Sequence, residues 1–185
     1  MTTCSIRQWL AGLLCVTLCW LPGNVEPSKL AASCAALYGI RLGPSGGLER
    51  ILDGARCQMV NATIIGSFLV TLKAQLGNRS LDLEIINCTV PVVDRTLLAR
   101  TPIRRLRINW SGLEKVLPDG FKGLENVLEE LELSHNQLQE IPVAISNLTM
   151  LSRLDLSRNS IRSLPQGSVF FHLLKLRHLN LNHNR

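Results

Sequence analysis

Laid on itself, the C-terminal half of this chain repeats. Leu128-x-x-Leu131-x-Leu133-x-x-Asn136-x-Leu138 is followed by Leu151-x-x-Leu154-x-Leu156-x-x-Asn159-x-Ile161, and a further copy opens with Leu176, Leu179, Leu181 and Asn184. The starts lie 23 and 25 residues apart. Two weaker copies stand upstream: Ile103, Leu106, Ile108 and Leu113 with Ser111 in the asparagine place, and before it Leu83, Ile85 and Val90 with Cys88 in that place and Ser80 at the start. Positions 4 and 6 of each copy alternate as in a short strand, so both side chains turn inward while positions 3 and 5 face outward. Successive coils therefore stack their strands into a parallel sheet.

The asparagine of position 9 falls where each coil leaves the sheet. Its amide both donates and accepts, and so satisfies backbone groups of adjoining coils that water does not reach. Asn136, Asn159 and Asn184 are expected to form this ladder, with Ser111 and Cys88 filling less of it in the first two coils. Further inward residues are expected from Val93 and Leu97, from Val116, Phe121 and Leu124, from Ile141, Ile145 and Leu148, and from Leu164, Phe170 and Leu173. The pattern is that of leucine-rich repeats, whose period is 20 to 29 residues. The expected fold is a leucine-rich-repeat solenoid, a horseshoe with a parallel β-sheet on its concave face and loops and short helical turns on its convex face.

Upstream of the repeats, Arg7 precedes an apolar run from Trp9 to Leu21 that Pro22-Gly23 ends, the order of a secretory signal peptide. At roughly 13 residues the run is short of the ~20 a membrane-spanning helix needs. Residues 1–23 are read as the signal, with cleavage between residues 19 and 28. Cys4, Cys15 and Cys19 lie inside it, which leaves Cys34, Cys57 and Cys88. Cys34 and Cys57 flank a Gly-rich stretch and are expected to pair, and Cys88 to be a free, inert thiol. Asn61, Asn78, Asn87, Asn109 and Asn147 each begin an N-x-[ST] sequon. Chance gives about one or two among twelve asparagines, so the excess points to the secretory pathway and an extracellular or cell-surface glycoprotein.

The runs Leu154-Asp-Leu-Ser-Arg-Asn-Ser-Ile-Arg-Ser-Leu-Pro165 and Leu117-Pro-Asp-Gly-Phe-Lys-Gly-Leu124 resemble the extracellular type of leucine-rich repeat carried by slit, chaoptin, Toll-like and LRR-and-immunoglobulin membrane glycoproteins. From Leu83 to Leu138 the likeness is greatest to chaoptin-like surface proteins. The resemblance covers about residues 80 to 185, and it implies protein recognition or adhesion. Residues 24–79 then serve as the N-terminal cap such a stack needs. This cap departs from the family's usual four clustered cysteines. Phe68, Val70 and Leu72 alternate like a cap strand, although Ala62 to Leu76 also reads as a short helix, and the strand is favoured. The repeats occupy 80–185, starting near 80, 103, 128, 151 and 176, and the last is read as truncated.

Outward positions 3 and 5 are Asp82 and Glu84, Arg105 and Arg107, Glu130 and Glu132, Arg153 and Asp155, His178 and Asn180. They either neutralise one another laterally or meet a protein ligand. The expected ligand-binding residues are Arg105, Arg107, Trp110, Glu130, Glu132, Arg153, Asp155 and His178. Trp110 stands at the rim as an anchor or as packing against the next coil. Arg104, Arg105 and Arg107 are the densest basic cluster, but acidic neighbours on both sides weaken a heparin-like role. A net charge of +6 from 20 Lys and Arg against 14 Asp and Glu is too mild for a dedicated nucleic-acid binder.

No cofactor and no enzyme is expected. His135, His178 and His183 lack partners at metal-ligand spacing. Gly43-Pro-Ser-Gly-Gly-Leu48 lacks the Gly-Lys-[Ser/Thr] ending of a phosphate loop and reads as a turn. No nucleophile, base and orienter can be assembled. The expected partner is an extracellular protein ligand or surface receptor. The favoured reading is the ectodomain of a membrane glycoprotein attached through a part beyond residue 185; the other is a soluble secreted matrix-type or inhibitor-type binder.

Overall fold

The computed structural model describes residues 33–42, 48–77, 79–98, 101–164 and 169–185. The segment expected to be a signal, residues 43–47, expected to form a turn, and Asn78 lie outside them. The fold is a leucine-rich-repeat solenoid built on one seven-stranded sheet. In chain order its elements are β1 (Ser33–Leu42), β2 (Leu48–Gln58), α1 (Ala62–Leu76), β3 (Leu81–Ile86), β4 (Val92–Val93), β5 (Ile103–Asn109), β6 (Lys115–Val116), β7 (Glu130–Glu132), β8 (Arg153–Asp155) and β9 (His178–Asn180). The sheet order is β1-β2-β3-β5-β7-β8-β9, with only β1 and β2 antiparallel. A 3-10 helix, Val143–Asn147, and the short parallel pair β4 and β6 lie on the convex side.

The register follows the repeat. Leu83, Leu106, Leu131, Leu154 and Leu179 stand side by side across β3, β5, β7, β8 and β9. The first four are fully buried, as are Ile85, Ile108, Leu133 and Leu156 two residues on. At about 25 cal/mol per Å² this shared apolar row is the main force stacking the coils. In β3 the ladder slips between Leu81 and Asp82, so Leu81, buried, pairs with Ile103. Ser80 is therefore not the residue opposite Ile103; the slip shortens the route from the first apolar residue of this coil to Leu83 by one residue.

The expected cap strand around Phe68, Val70 and Leu72 is corrected: Ala62–Leu76 is α1. Ile65, Leu69, Leu72 and Leu76 are the buried residues, at helical spacing, while Val70 is exposed. Asn61 caps the helix, its Oδ1 accepting from Ile64 N at 3.0 Å. The alternation of Phe68, Val70 and Leu72 was coincidental with a wider 3.6-residue stripe.

β1 and β2 supply the cap proper. Cys34 and Cys57 stand opposite each other across this hairpin and are disulfide-bonded. Gly54 of β2 docks on β3 where a Cβ would stand 2.9 Å from the carbonyl oxygen of Asp82, a close approach that excludes other residues. On the convex side Val93, Leu97, Val116, Phe121, Leu124, Ile141, Ile145, Leu148 and Leu173 are buried, and Phe170 is partly buried. Leu164, expected inward, is 63% exposed, and Val169 is buried in that coil.

Candidate functional site

The concave face is where the coils present side chains in fixed lateral order. Position 3 forms the row Asp82, Arg105, Glu130, Arg153, His178, and position 5 the row Glu84, Arg107, Glu132, Asp155, Asn180. Arg56 of β2 stands beside Glu84 and extends the second row.

In the first half of the face these charges neutralise one another. Glu84 accepts from Arg56 Nε at 2.6 Å and from Arg107 Nη1 at 2.8 Å. Burial raises the pKa of Glu84, but the hydrogen bonds and charges of Arg56 and Arg107 outweigh it and hold the carboxyl below its ordinary range. Arg107 Nε also lies 3.3 Å from Glu132. Asp82 takes Arg104 at 3.2 Å and Arg105 at 3.3 Å. Arg105 Nε lies 3.3 Å from Glu130 but is not aligned for a hydrogen bond with it. Arg104, Arg105 and Arg107, dense in the sequence, are thus committed to four carboxylates.

The second half differs. Asp155 spends its oxygens on Ser157 N and Asn180 Nδ2, both at 2.8 Å. Among the described residues Arg153, Arg158 and His178 enter no ion pair. Residues 151–185 hold six Lys and Arg against the single acid Asp155, whereas residues 33–150 hold twelve of each sign. Almost all of the chain's net +6 therefore sits at this end. That asymmetry is present in the sequence itself, away from the dense triplet Arg104, Arg105 and Arg107.

Beneath the face runs the position-9 column. Asn136 Oδ1 accepts from Ser111 N and Leu113 N, both at 3.1 Å, while its Nδ2 donates to the carbonyls of Ile108, Leu133 and Ser134 at 2.6 to 3.1 Å. Asn159 links Leu138 N to the carbonyls of Leu133, Leu156 and Ser157. Asn184 links Ile161 N to Leu156 and Leu181. Ser111 Oγ accepts from Cys88 N at 3.3 Å and donates to Asn109 O at 2.9 Å. Cys88 is buried and free, its Sγ 3.4 Å from the carbonyl of Cys57, and burial pushes its thiol pKa up.

To bring position 9 inward, the residue before it adopts a left-handed backbone. Asn87, Trp110, His135, Arg158 and His183 all have φ between 52° and 59°, as has Met59 at the cap. Such a backbone costs a bulky residue about 1 kcal/mol or more. No glycine marks the column, so sequence patterning could not find it. The consequence is a file of side chains along the rim. Trp110 is 58% exposed and also stacks on His135, ring centroids 3.8 Å apart and planes 26° from parallel.

Asn61, Asn87 and Asn147 are exposed, Asn147 on the convex side. Asn109 is half-buried on the concave face, its Nδ2 donating to Glu132 at 2.6 Å, and the Ser111 of its sequon is buried. Asn109 is thus the one described sequon whose amide nitrogen is already committed to a carboxylate. Among the described residues no group of three His, Cys, Asp or Glu is placed to hold a metal, and no helix is long and apolar enough to cross a membrane.

Residues 101–161 match the family model described as leucine rich repeat. The chain is 39% identical over 83 residues to the Volume-regulated anion channel subunit LRRC8D of Rattus norvegicus, a match covering 45% of this chain and 10% of that protein. It is 29% identical over 138 residues to Tsukushi of Mus musculus, covering 72% of this chain and 38% of that protein. The chain therefore spans well under half the length of these two relatives. The solved crystal structure of the LRIM1/APL1C complex shares the fold, with a TM-score of 0.53 at 24% identity over 63% of this chain and 21% of that one. A module shared by proteins with such different names defines an architecture and not an activity.

Proposed function

We propose that this chain is an extracellular protein-binding module, the ligand-recognition or adhesion part of a membrane glycoprotein of the type that slit, chaoptin and Toll-like proteins resemble, and that it binds through the concave sheet. The observation that carries this is the fixed lateral order of Arg105, Arg107, Glu130, Glu132, Arg153, Asp155 and His178 across adjoining strands. A rigid sheet orders these side chains before a partner arrives, which lowers the entropy cost of binding. The disulfide between Cys34 and Cys57 and the excess of sequons support an oxidising, exported setting.

A glycan wedge tests it. Asp155→Asn creates an N-x-S sequon ending at Ser157, which places a sugar on the concave face, while Asn147 already offers one on the convex face. Screened against an array of secreted and membrane ectodomains, the wild-type chain should bind a partner that the wedge variant loses. Removing the convex sequon by Asn147→Gln should leave binding intact. Equal binding by the wedge variant would sink the reading.

A further inference from the structure

Met59, Asn87, Trp110 and His135 hold one place in four successive coils. Gln58 pairs with Ile86 and Ile86 with Asn109, so Met59 stands beside Asn87 and Asn87 beside Trp110. Their backbones are alike, with φ of 56°, 52°, 56° and 56°. Asn87 N donates to Asn109 O at 3.1 Å, the same rung by which His135 N donates to Ser157 O at 3.1 Å. Like conformations at like places in a parallel stack send their side chains out in one direction, about 4.8 Å apart.

Trp110 stacks on His135 with the ring planes 26° from parallel, so the indole lies across this file. One of its faces is taken by the imidazole, and the other looks back toward Asn87. The indole is more than half exposed, as is Met59 on the far side of Asn87. Two large apolar side chains thus bracket one short amide, and two strand spacings, about 9.6 Å, leave room for a single ring between them. The surroundings carry no charge: position 7 supplies Gln58, Ile86 and Asn109, and position 10 supplies Asn61, Thr89 and Gly112. Such a slot suits a neutral ring with an apolar face. Asn87 opens the sequon Asn87-Cys88-Thr89; it and Thr89 are exposed, and its amide makes no hydrogen bond among the described residues. The amide of Asn109, by contrast, is held by Glu132.

Resting on the exported setting and not on the concave-face reading, we propose that Asn87 carries an N-glycan whose first N-acetylglucosamine lies in this slot, its C–H face on the indole of Trp110. The face of an aromatic ring is the negative side of its quadrupole and attracts those C–H groups. Transfer from a lipid-pyrophosphate oligosaccharide joins Nδ2 to C1 of the sugar; Nδ2 gives up a proton, and the pyrophosphate leaves with the electron pair of the C1–O bond. The stack ties the first two repeat coils together at the rung where Cys88 and Ser111 make the position-9 column weakest. Trp110 is then covered by the chain's own sugar.

The test uses the chain secreted by cells that leave N-glycans in the high-mannose form. Peptide mass mapping should find a glycan on Asn87. Trp9 and Trp20 lie in the segment expected to be removed, so the emission of the secreted chain reports Trp110. Acrylamide should quench the wild type about twofold less than Thr89→Ala, which keeps Asn87 but loses the sequon. Trimming to a single N-acetylglucosamine with endoglycosidase H should leave the protection intact, and Thr63→Ala, which removes the sequon of Asn61, should not change it. Peptide N-glycosidase applied to the folded wild type should expose the indole as Thr89→Ala does, without a variant having to fold. An empty Asn87 beside an occupied Asn61 or Asn147 overturns the proposal, as does equal quenching with and without the glycan. Protection lost on trimming puts a later sugar on the indole and overturns it too, and protection given only by an ectodomain partner assigns Trp110 to protein binding instead. If no sequon is occupied, the exported setting itself falls.

Discussion

The coils at the two ends of this solenoid are joined by different means, although one sheet runs through both. From β2 to β7 the concave face carries the ion-pair lattice of Arg56, Glu84, Arg107 and Glu132 beside Asp82, Arg104, Arg105 and Glu130. In that region the position-9 column is weak, with Cys88 and Ser111 in place of asparagine. From β7 onward the column is complete in Asn136, Asn159 and Asn184, and among the described residues Arg153, Arg158 and His178 enter no ion pair. Where the interior amides knit the coils, the surface need not contribute.

The largest effect that would sharpen this contrast is in the column. Asn136→Leu strips partners from the buried N–H groups of Ser111 and Leu113 and from three carbonyls, and should cost about 3 kcal/mol or more in urea unfolding. Cys88→Ala, which removes only weak sulfur contacts, should cost about 1 kcal/mol. Comparable losses in the two variants would break the comparison.

The lattice comes next. Arg107→Gln uncouples Glu84 and Glu132 and should destabilise by about 1 kcal/mol, whereas Arg153→Gln, with no ion pair to lose, should stay within about 0.5 kcal/mol. Thermal melts at low and high salt would read both, and only the first difference should shrink with salt.

A smaller effect is expected with acid. The folded pKa of Glu84 is depressed, so its contribution to stability is complete above its unfolded value and is lost as pH falls through the folded one. Glu84→Gln should therefore show a shallower loss of stability on acidification than the wild type, measured by denaturant midpoints from pH 7 to pH 3. An unchanged slope would remove Glu84 from the lattice's energetics.

The smallest is on the rim. Arg158→Gly, which takes left-handed backbone without a Cβ clash and creates no sequon, relieves the strain at φ 54° and should raise stability by about 0.5 kcal/mol. If stability falls instead, the arginine makes a contact in solution that outweighs its backbone cost.

By itself the sequence determined the solenoid and its register. The spacing of leucines at positions 4 and 6 admits one inward row, and a one-residue slip would turn every such side chain to solvent. Where a coil departs from the pattern, as at Leu81, only the pairing with Ile103 revealed which residue fills the place. The helix α1 was legible as an alternative, but two faces of one apolar stretch are told apart only by what covers them: Ile65, Leu69, Leu72 and Leu76 pack inward and Val70 does not. The tertiary structure also decided which charges are free. Arg105 and Arg107 are bracketed by acids more than twenty residues away in the chain, while Arg153 and Arg158 are not. Lateral neighbours in a parallel sheet come from different coils, so the field at each side chain is set by stacking and not by adjacency along the chain. The left-handed column was hidden for a similar reason: what bends Trp110, His135 and Arg158 is the demand of the next residue for a place inside, and no preference of their own.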